Sequence, residues 1–164
     1  MLHIGILSDT HGYVHPCVLE FFSGTDEIWH AGDIGTLEVT KQLAAISRLR
    51  AVHGNIDGRE IRMECPEVQI FMAEEVRALM THIGGYPGRY ERSAKSLILS
   101  EKPGLFIAGH SHILKVIYDN KYNLLHINPG AAGNYGLHKS ITAVRLIIEG
   151  EIMHNLEILD IPRK

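Results

Sequence analysis

Short apolar runs alternate with helically spaced apolar positions along the first third of the chain. His3 to Ser8 reads as a buried strand, and Glu27 to His30 and Leu49 to His53 repeat the pattern. Between them, Val14, Cys17, Val18, Phe21 and Phe22 share one helical face, with Pro16 tolerable in a first turn, and Val39, Leu43 and Ile46 mark a second helix. Strand, helix, strand, helix, strand predicts a largely parallel sheet with helical crossovers.

The remainder reads differently. Val68 to Met72 and Val76 to Met80, separated only by Ala73 to Glu75, predict a hairpin. A helix is expected around Arg92 to Leu99, ended by Pro103-Gly104, and Leu105 to Ala108 is a strand. Lys115 to Asp119, Leu124 to Ile127, Ile141 to Ile148 and Ile152 to Ile158 then follow with short turns, among them Asp119-Asn120 and Glu149-Gly150, a pattern that suits antiparallel pairing. No repeat, linker or low-complexity segment interrupts the series. The expected architecture is α/β, two packed sheets with helices outside, in a single domain over residues 1–164.

Composition narrows the function. With 45% hydrophobic and 21% charged residues the chain is globular rather than disordered. No apolar stretch approaches the roughly 20 residues that span a bilayer, and Ile4 to Leu7 is too short for a signal peptide and has no basic leader. No membrane association and a cytoplasmic location are expected. A net charge of -3 without a Lys/Arg cluster argues against strong nucleic-acid binding, which rests on neutralising phosphates. Cys17 and Cys65 read as reduced thiols, Cys17 on a helix face and Cys65 before Pro66. Histidine stands out at 11 copies, and position matters more than number.

Five polar clusters each follow an apolar run directly: Asp9-Thr10-His11, Gly32-Asp33, Gly54-Asn55-Ile56-Asp57, Thr81-His82 and Gly109-His110-Ser111-His112. Ligands of open α/β sheets bind at the carboxyl ends of strands, so five such loops can converge. Carboxylate, imidazole and amide oxygen without thiolate form a mixed N/O set suited to Mn, Fe, Zn, Co or Ni. The glycines before Asp33, Asn55 and His110 permit tight turns and close backbone approach. Seven donors (Asp9, His11, Asp33, Asn55, His82, His110 and His112) are too many for one catalytic zinc and enough for two metals sharing a carboxylate.

Each cluster has a plainer explanation alone. Asp9 could cap the next helix, Gly32-Asp33 is a common turn pair, Asn55 suits a left-handed turn, and a solitary His82 is more often packed than ligating. Gly-His-Ser-His is harder to dismiss, and the order of the five clusters carries the specificity. His30, His53 and His126 fall in or beside apolar strands and are expected to pack there, while His3, His15, His138 and His154 carry no motif.

The motif series resembles the calcineurin-like metallophosphoesterases, in particular small bacterial and archaeal phosphodiesterases that are also similar to the retromer subunit Vps29. The resemblance runs from Asp9 to at least Gly130, where Ile127-Asn128-Pro129-Gly130 matches a late family signature. It implies a four-layer α/β/β/α sandwich of two mixed sheets, the metallophosphoesterase fold. It also implies two divalent metal ions, with manganese first, and a small phosphate ester as substrate, and it leaves room for a homo-oligomer. By position, Asp9, His11, Asp33 and His112 would hold one metal and Asp33, Asn55, His82 and His110 the other, so that Asp33 bridges. Asn128 would support the site from behind its ligands. A water bridging the two metals would be the nucleophile.

One departure is marked. Many superfamily enzymes carry a histidine after the asparagine, where it protonates the leaving group; here that residue is Ile56, and no catalytic side chain is assigned in its place. The small phosphodiesterases often lack it too. Asp57, the usual partner of that histidine, becomes structural, and His82-Ile83-Gly84-Gly85 lacks the compact His-Gly pattern, which implies a different loop. Two other functions compete: a Vps29-like protein-binding scaffold, which has no need of seven ligands, and a nuclease, which lacks its basic groove.

Overall fold

The computed structural model describes residues 1–163. One five-stranded sheet runs in the order β12-β11-β1-β2-β3, from Ile152–Pro162, Ser140–Glu149, Leu2–Leu7, Glu27–His30 and Arg48–Ala51. The three early strands are parallel, as their crossovers require, through α1 (Pro16–Phe21) and α2 (Leu37–Ala44). The second sheet runs β4-β5-β8-β10-β9, from Val68–Ala73, Val76–Thr81, Leu105–Ile107, Leu124–Pro129 and Leu114–Asp119. Its middle pairings are parallel and its outer two antiparallel, so both sheets are mixed.

Three apolar layers follow. Ile4, Ile6 and Trp29 of the first sheet meet Met80, Ile107 and Ile127 of the second across the inter-sheet core, with Trp29 edge-on to Phe71. Val18 of α1, Phe22 just after it, Val39 and Leu43 of α2 and Ile61 cover the outer face of the first sheet. Ala94 and Ile98 of α4 (Arg92–Glu101) cover Leu79, Phe106 and Leu124 of the second. The α/β/β/α sandwich is therefore present. No helix among the described residues is long and apolar enough to cross a membrane.

Local chemistry sets the helix ends. The His15 side chain caps α1 by accepting from the Cys17 N–H, a role no motif announced. Glu91 caps α4 through the Ser93 and Ala94 N–H groups, and α4 closes on Lys102 in a left-handed conformation before Pro103.

Three features depart from the pattern read along the chain. A short helix α3, Arg59–Glu64, follows the Asn55 loop; its six residues bury only Ile61. A two-residue hairpin, β6 (Gly85–Tyr86) with β7 (Arg89–Tyr90), fills the segment after His82, where the compact His-Gly pattern is missing. The last four strands do not form one antiparallel run. β9 pairs with β10 and β11 with β12, but β10 and β11 lie in different sheets, and β11 instead pairs antiparallel with β1.

His30 and His126 are fully buried, as their strand positions predicted. His126 packs against Phe106, with ring centroids 5.3 Å apart, and burial pushes its pKa down from 6.5 to about 4. Between those values the unfolded chain binds a proton that the folded chain refuses, so acidification through this window removes stability. At 1.36 kcal/mol per unit, the loss is about 3 kcal/mol by pH 4. Urea melts of the His126→Leu variant should lose that share of the pH dependence between pH 7 and 4; a slope equal to the parent's would disprove the assignment.

Candidate metal centre

All five polar clusters meet at one rim of the sandwich. Asp9 and His11 follow β1, Asp33 follows β2 and Asn55 follows β3, whereas His82 follows β5 and His110 and His112 follow β8. One donor atom each from Asp9, His11 and His112 lies within 4.8 Å of the others, and the same is true of Asp33, His82 and His110. Asn55 Oδ1 stands 3.1 Å from His110 Nδ1, so the amide joins the second group. Asp33 Oδ2 is 3.6 Å from His11 Nε2 and 3.3 Å from His82 Nε2, facing both groups at once.

The loops reach this geometry through unusual backbone. Nine non-glycine residues among those described have positive φ, and five of them are Asp9, His11, Asp33, His110 and His112. Such conformations cost roughly 1–3 kcal/mol each and persist where surrounding structure over-determines them. Here the enforcing contacts are visible. The His11 N–H donates to Asp33 O and the Asp9 N–H to Gly32 O, lacing the first two loops together. Buried His30 ties the same loops: its Nδ1 accepts from the Gly32 N–H, and its Nε2 meets Thr10 Oγ1 at 3.0 Å. The Asp57 carboxylate accepts from the Ile34, Gly35 and Gly54 N–H groups and so fastens the second loop to the third. Gly54 has to be glycine, because a Cβ there would land on Asp33 Oδ1 and the Asp33 backbone.

Orientation is fixed from behind as well. His82 Nδ1 lies 2.7 Å from the Ala31 carbonyl, which can only accept, so the proton sits on Nδ1 and the Nε2 lone pair faces Asp33. Asn128 donates to Gly109 O and Ser111 Oγ and accepts from the Gly130 N–H, holding the Gly109–Ser111 turn. Asp9 Oδ2 accepts from Ser8 Oγ and from the His110 N–H.

Three buried atoms at the convergence have no hydrogen-bond partner among the described residues: Asp9 Oδ1, His11 Nε2 and His82 Nε2. Buried polar atoms are otherwise nearly always paired. A carboxylate oxygen and imidazole nitrogens aimed at common points are what a divalent cation of borderline character needs.

The electrostatics agree. Burial alone would push the Asp9 carboxyl up, but the adjacent imidazoles of His11, His112 and His82 and the Ser8 hydroxyl outweigh it and hold Asp9 well below the usual carboxylate range. Burial likewise opposes ionisation of Asp33, and His82 with the Ile56 N–H overcomes it. The His11 pKa rises, chiefly through the Asp9 carboxylate beside it; His82 rises because Asp33 and Asp9 outweigh its burial. A divalent ion among the unpartnered atoms would supply the positive charge that the two buried carboxylates call for.

Two contributors carried no readable signal. His138 contacts His112 Nδ1 at 3.2 Å from a loop without motif or periodicity. Arg62, on the unforeseen α3, donates to Asp57 O and Gly54 O and brackets the Asn55 loop; the apolar pair Ile61 and Cys65, four apart, was the available hint of its helix.

Comparison with known proteins agrees with this geometry. The model of the calcineurin-like phosphoesterase superfamily domain matches residues 2–151. A probable metallophosphoesterase of Methanothermobacter thermautotrophicus is 27% identical over 135 residues, covering 78% of this chain and 76% of that protein. Among solved structures, a predicted phosphoesterase of Streptococcus pneumoniae superposes with TM-score 0.72 at 20% identity, covering 97% of this chain and 89% of the other. Vps29 of Entamoeba histolytica, solved with Zn2+, superposes with TM-score 0.77 at 14% identity, covering 99% and 100%. At those identities the two structures speak for the fold, and the family rests on the match that runs from β1 through β11 to the turn before β12. The chain belongs to the calcineurin-like phosphoesterase superfamily, a family that binds divalent metals and whose name denotes hydrolases.

Proposed function

We propose that the protein is a binuclear metal-dependent phosphodiesterase acting on small phosphate esters in the cytoplasm, with manganese as the first metal to test. The observation that carries this reading is the convergence of unpartnered Asp9 Oδ1, His11 Nε2 and His82 Nε2 beside a carboxylate, Asp33, that faces both donor groups. Asp9, His11, Asp33 and His112 would hold one cation, and Asp33, Asn55, His82 and His110 the other. Two such cations, when bound, would activate water and draw charge from the phosphoryl oxygens.

The protein's own residues would do the rest. Asp9 and Asp33 return two negative charges and leave a net positive site inside an acidic chain, so a phosphate is attracted without a basic surface. A cavity of about 520 Å³ opens beside Asn55 and His82 and is lined in part by Val68, Ile83 and Leu97, room for the organic group of a small ester. Arg62 holds the Asn55 loop at the cavity wall.

Proton donation is the weak point. Ile56 contributes only its backbone N–H, to Asp33 Oδ1, and its half-exposed side chain has no proton to give. Neither neighbour replaces it readily. Both Asp57 oxygens accept backbone N–H groups, and His53 spends Nδ1 on the Cys65 carbonyl while Arg62 Nη1 faces its Nε2.

Two experiments test this. The purified protein is expected to hold up to two divalent ions per chain, and Asp33→Ala to lose both. His11→Ala should weaken mainly one and His82→Ala mainly the other, with the fold intact. Elemental analysis showing unchanged metal in Asp33→Ala would remove the bridge, and the absence of any chelator-sensitive hydrolysis would favour the scaffold reading instead. The second experiment concerns the leaving group. A nitrophenolate departs with little help, whereas an alkoxide needs a proton, and a positioned general acid contributes about 10²–10⁴-fold. Activated aryl diesters should therefore turn over well and simple alkyl diesters slowly, and Ile56→His should help the alkyl substrates selectively. Steady-state rates for both substrate types decide it; fast alkyl hydrolysis by the parent enzyme would mean that a proton donor exists.

A further inference from the structure

The loop from Gly133 to His138 leaves the late Asn128-Pro129-Gly130 turn and passes over the donors that follow β8. It is anchored to the site at its start, where the Gly133 N–H donates to Asp9 O at 3.1 Å. At its end His138 turns back. Its Nε2 lies 2.7 Å from the Gly133 carbonyl and its Nδ1 lies 3.2 Å from His112 Nδ1. The two rings meet edge to face, with centroids 5.1 Å apart.

We propose that His138 is a positioning residue that fixes the tautomer and ring direction of His112 and thereby prepares the Asp9–His11–His112 group to bind its cation. The inference rests on the binuclear reading above and adds a residue to it.

The argument is one of proton placement. The Gly133 carbonyl can only accept, so His138 Nε2 carries a hydrogen. A neutral His138 then has its lone pair on Nδ1, facing His112 Nδ1, and only one hydrogen fits between two nitrogens 3.2 Å apart. That hydrogen belongs to His112. Its own lone pair is thereby sent to Nε2, which points at Asp9 Oδ1 across 3.2 Å. Two electron-rich atoms facing each other at that distance call for a cation between them. The relay from Gly133 O through His138 to His112 thus begins and ends on groups tied to Asp9.

The backbone is shaped to protect this contact. Gly136 passes over both rings with φ +128, and a Cβ there would stand 2.5 Å from His112 Nδ1 and 3.1 Å from His138 Nδ1. Imidazoles that bind metals commonly pass their remaining N–H to an acceptor, and losing that acceptor typically costs about 10–100-fold in metal affinity or activity. Here the acceptor is a second imidazole that is itself held by a carbonyl.

The test uses the full chain stripped by chelation and titrated with Mn2+ against a competing chelator, comparing the parent with His138→Ala and His138→Asn. His138→Ala should weaken one of the two ions about 10–100-fold and leave the other unchanged. The Asn side chain can offer an oxygen where His138 Nδ1 stood, so His138→Asn should recover most of the affinity. In the metal-free chain, 15N spectra should report a hydrogen on His112 Nδ1 in the parent and a mixture of tautomers in His138→Ala. Equal weakening of both ions, an Asn variant no better than Ala, or unchanged affinity with an unchanged tautomer would each overturn the proposal. A parent protein that takes up no Mn2+ would overturn the binuclear reading itself, a result distinct from two ions that ignore His138.

Discussion

Two carboxylates, Asp9 and Asp33, are buried at the edge of a sandwich core, and their compensation governs everything around them. A buried anion is tolerated only when paired and hydrogen-bonded. Ser8 and backbone N–H groups satisfy part of each, but Asp9 Oδ1 is left for something that no side chain supplies. Five histidine and aspartate positions accept left-handed backbone to face that point. The supports behind them, His30, Asp57 and Asn128, read as the means of holding strained loops in place. Each joins two loops or the two ends of one turn, and none belongs to either donor group.

The first two strands were legible because each is short and largely buried, so apolar runs such as Ile4 to Leu7 have no competing reading. The loops were legible for a related reason, since polar residues directly after a buried strand have nowhere to go except its carboxyl end. The seven candidate donors could be named on that logic, and all seven lie at one rim. Where legibility failed, the information was not local. α3 has six mostly charged residues and one buried side chain, too little for a periodic signal. The step from β10 to β11 carries the chain from one sheet to the other, and each strand alternates as well in either sheet. Only the pairing of β11 with β1, far apart in sequence, fixes the outcome. His138 failed for the opposite reason: it lies in an irregular segment where any residue type is equally plausible until the fold brings it onto His112.

The way the donors are shared between sheets has a mechanical consequence. Asp9 and His11 come from the first sheet and His112 from the second; Asp33 comes from the first and His82 and His110 from the second. Neither group can form within one sheet. The separations that matter, such as 3.3 Å between His82 Nε2 and Asp33 Oδ2, are therefore set by how Ile4, Ile6 and Trp29 seat against Met80, Ile107 and Ile127. Close-packed interiors resist sliding, because interdigitated side chains lose contacts over fractions of an ångström. The inter-sheet core thus acts as the jig for both proposed cations, and the strained loops are only the last few residues of that alignment. The coupling runs both ways. A cation that binds the folded arrangement and not the unfolded chain adds its binding free energy to the association of the two sheets. An inter-sheet cavity would then weaken metal binding without touching a single donor, which ties the first apolar run of the chain, Ile4 to Leu7, to the chemistry at its end.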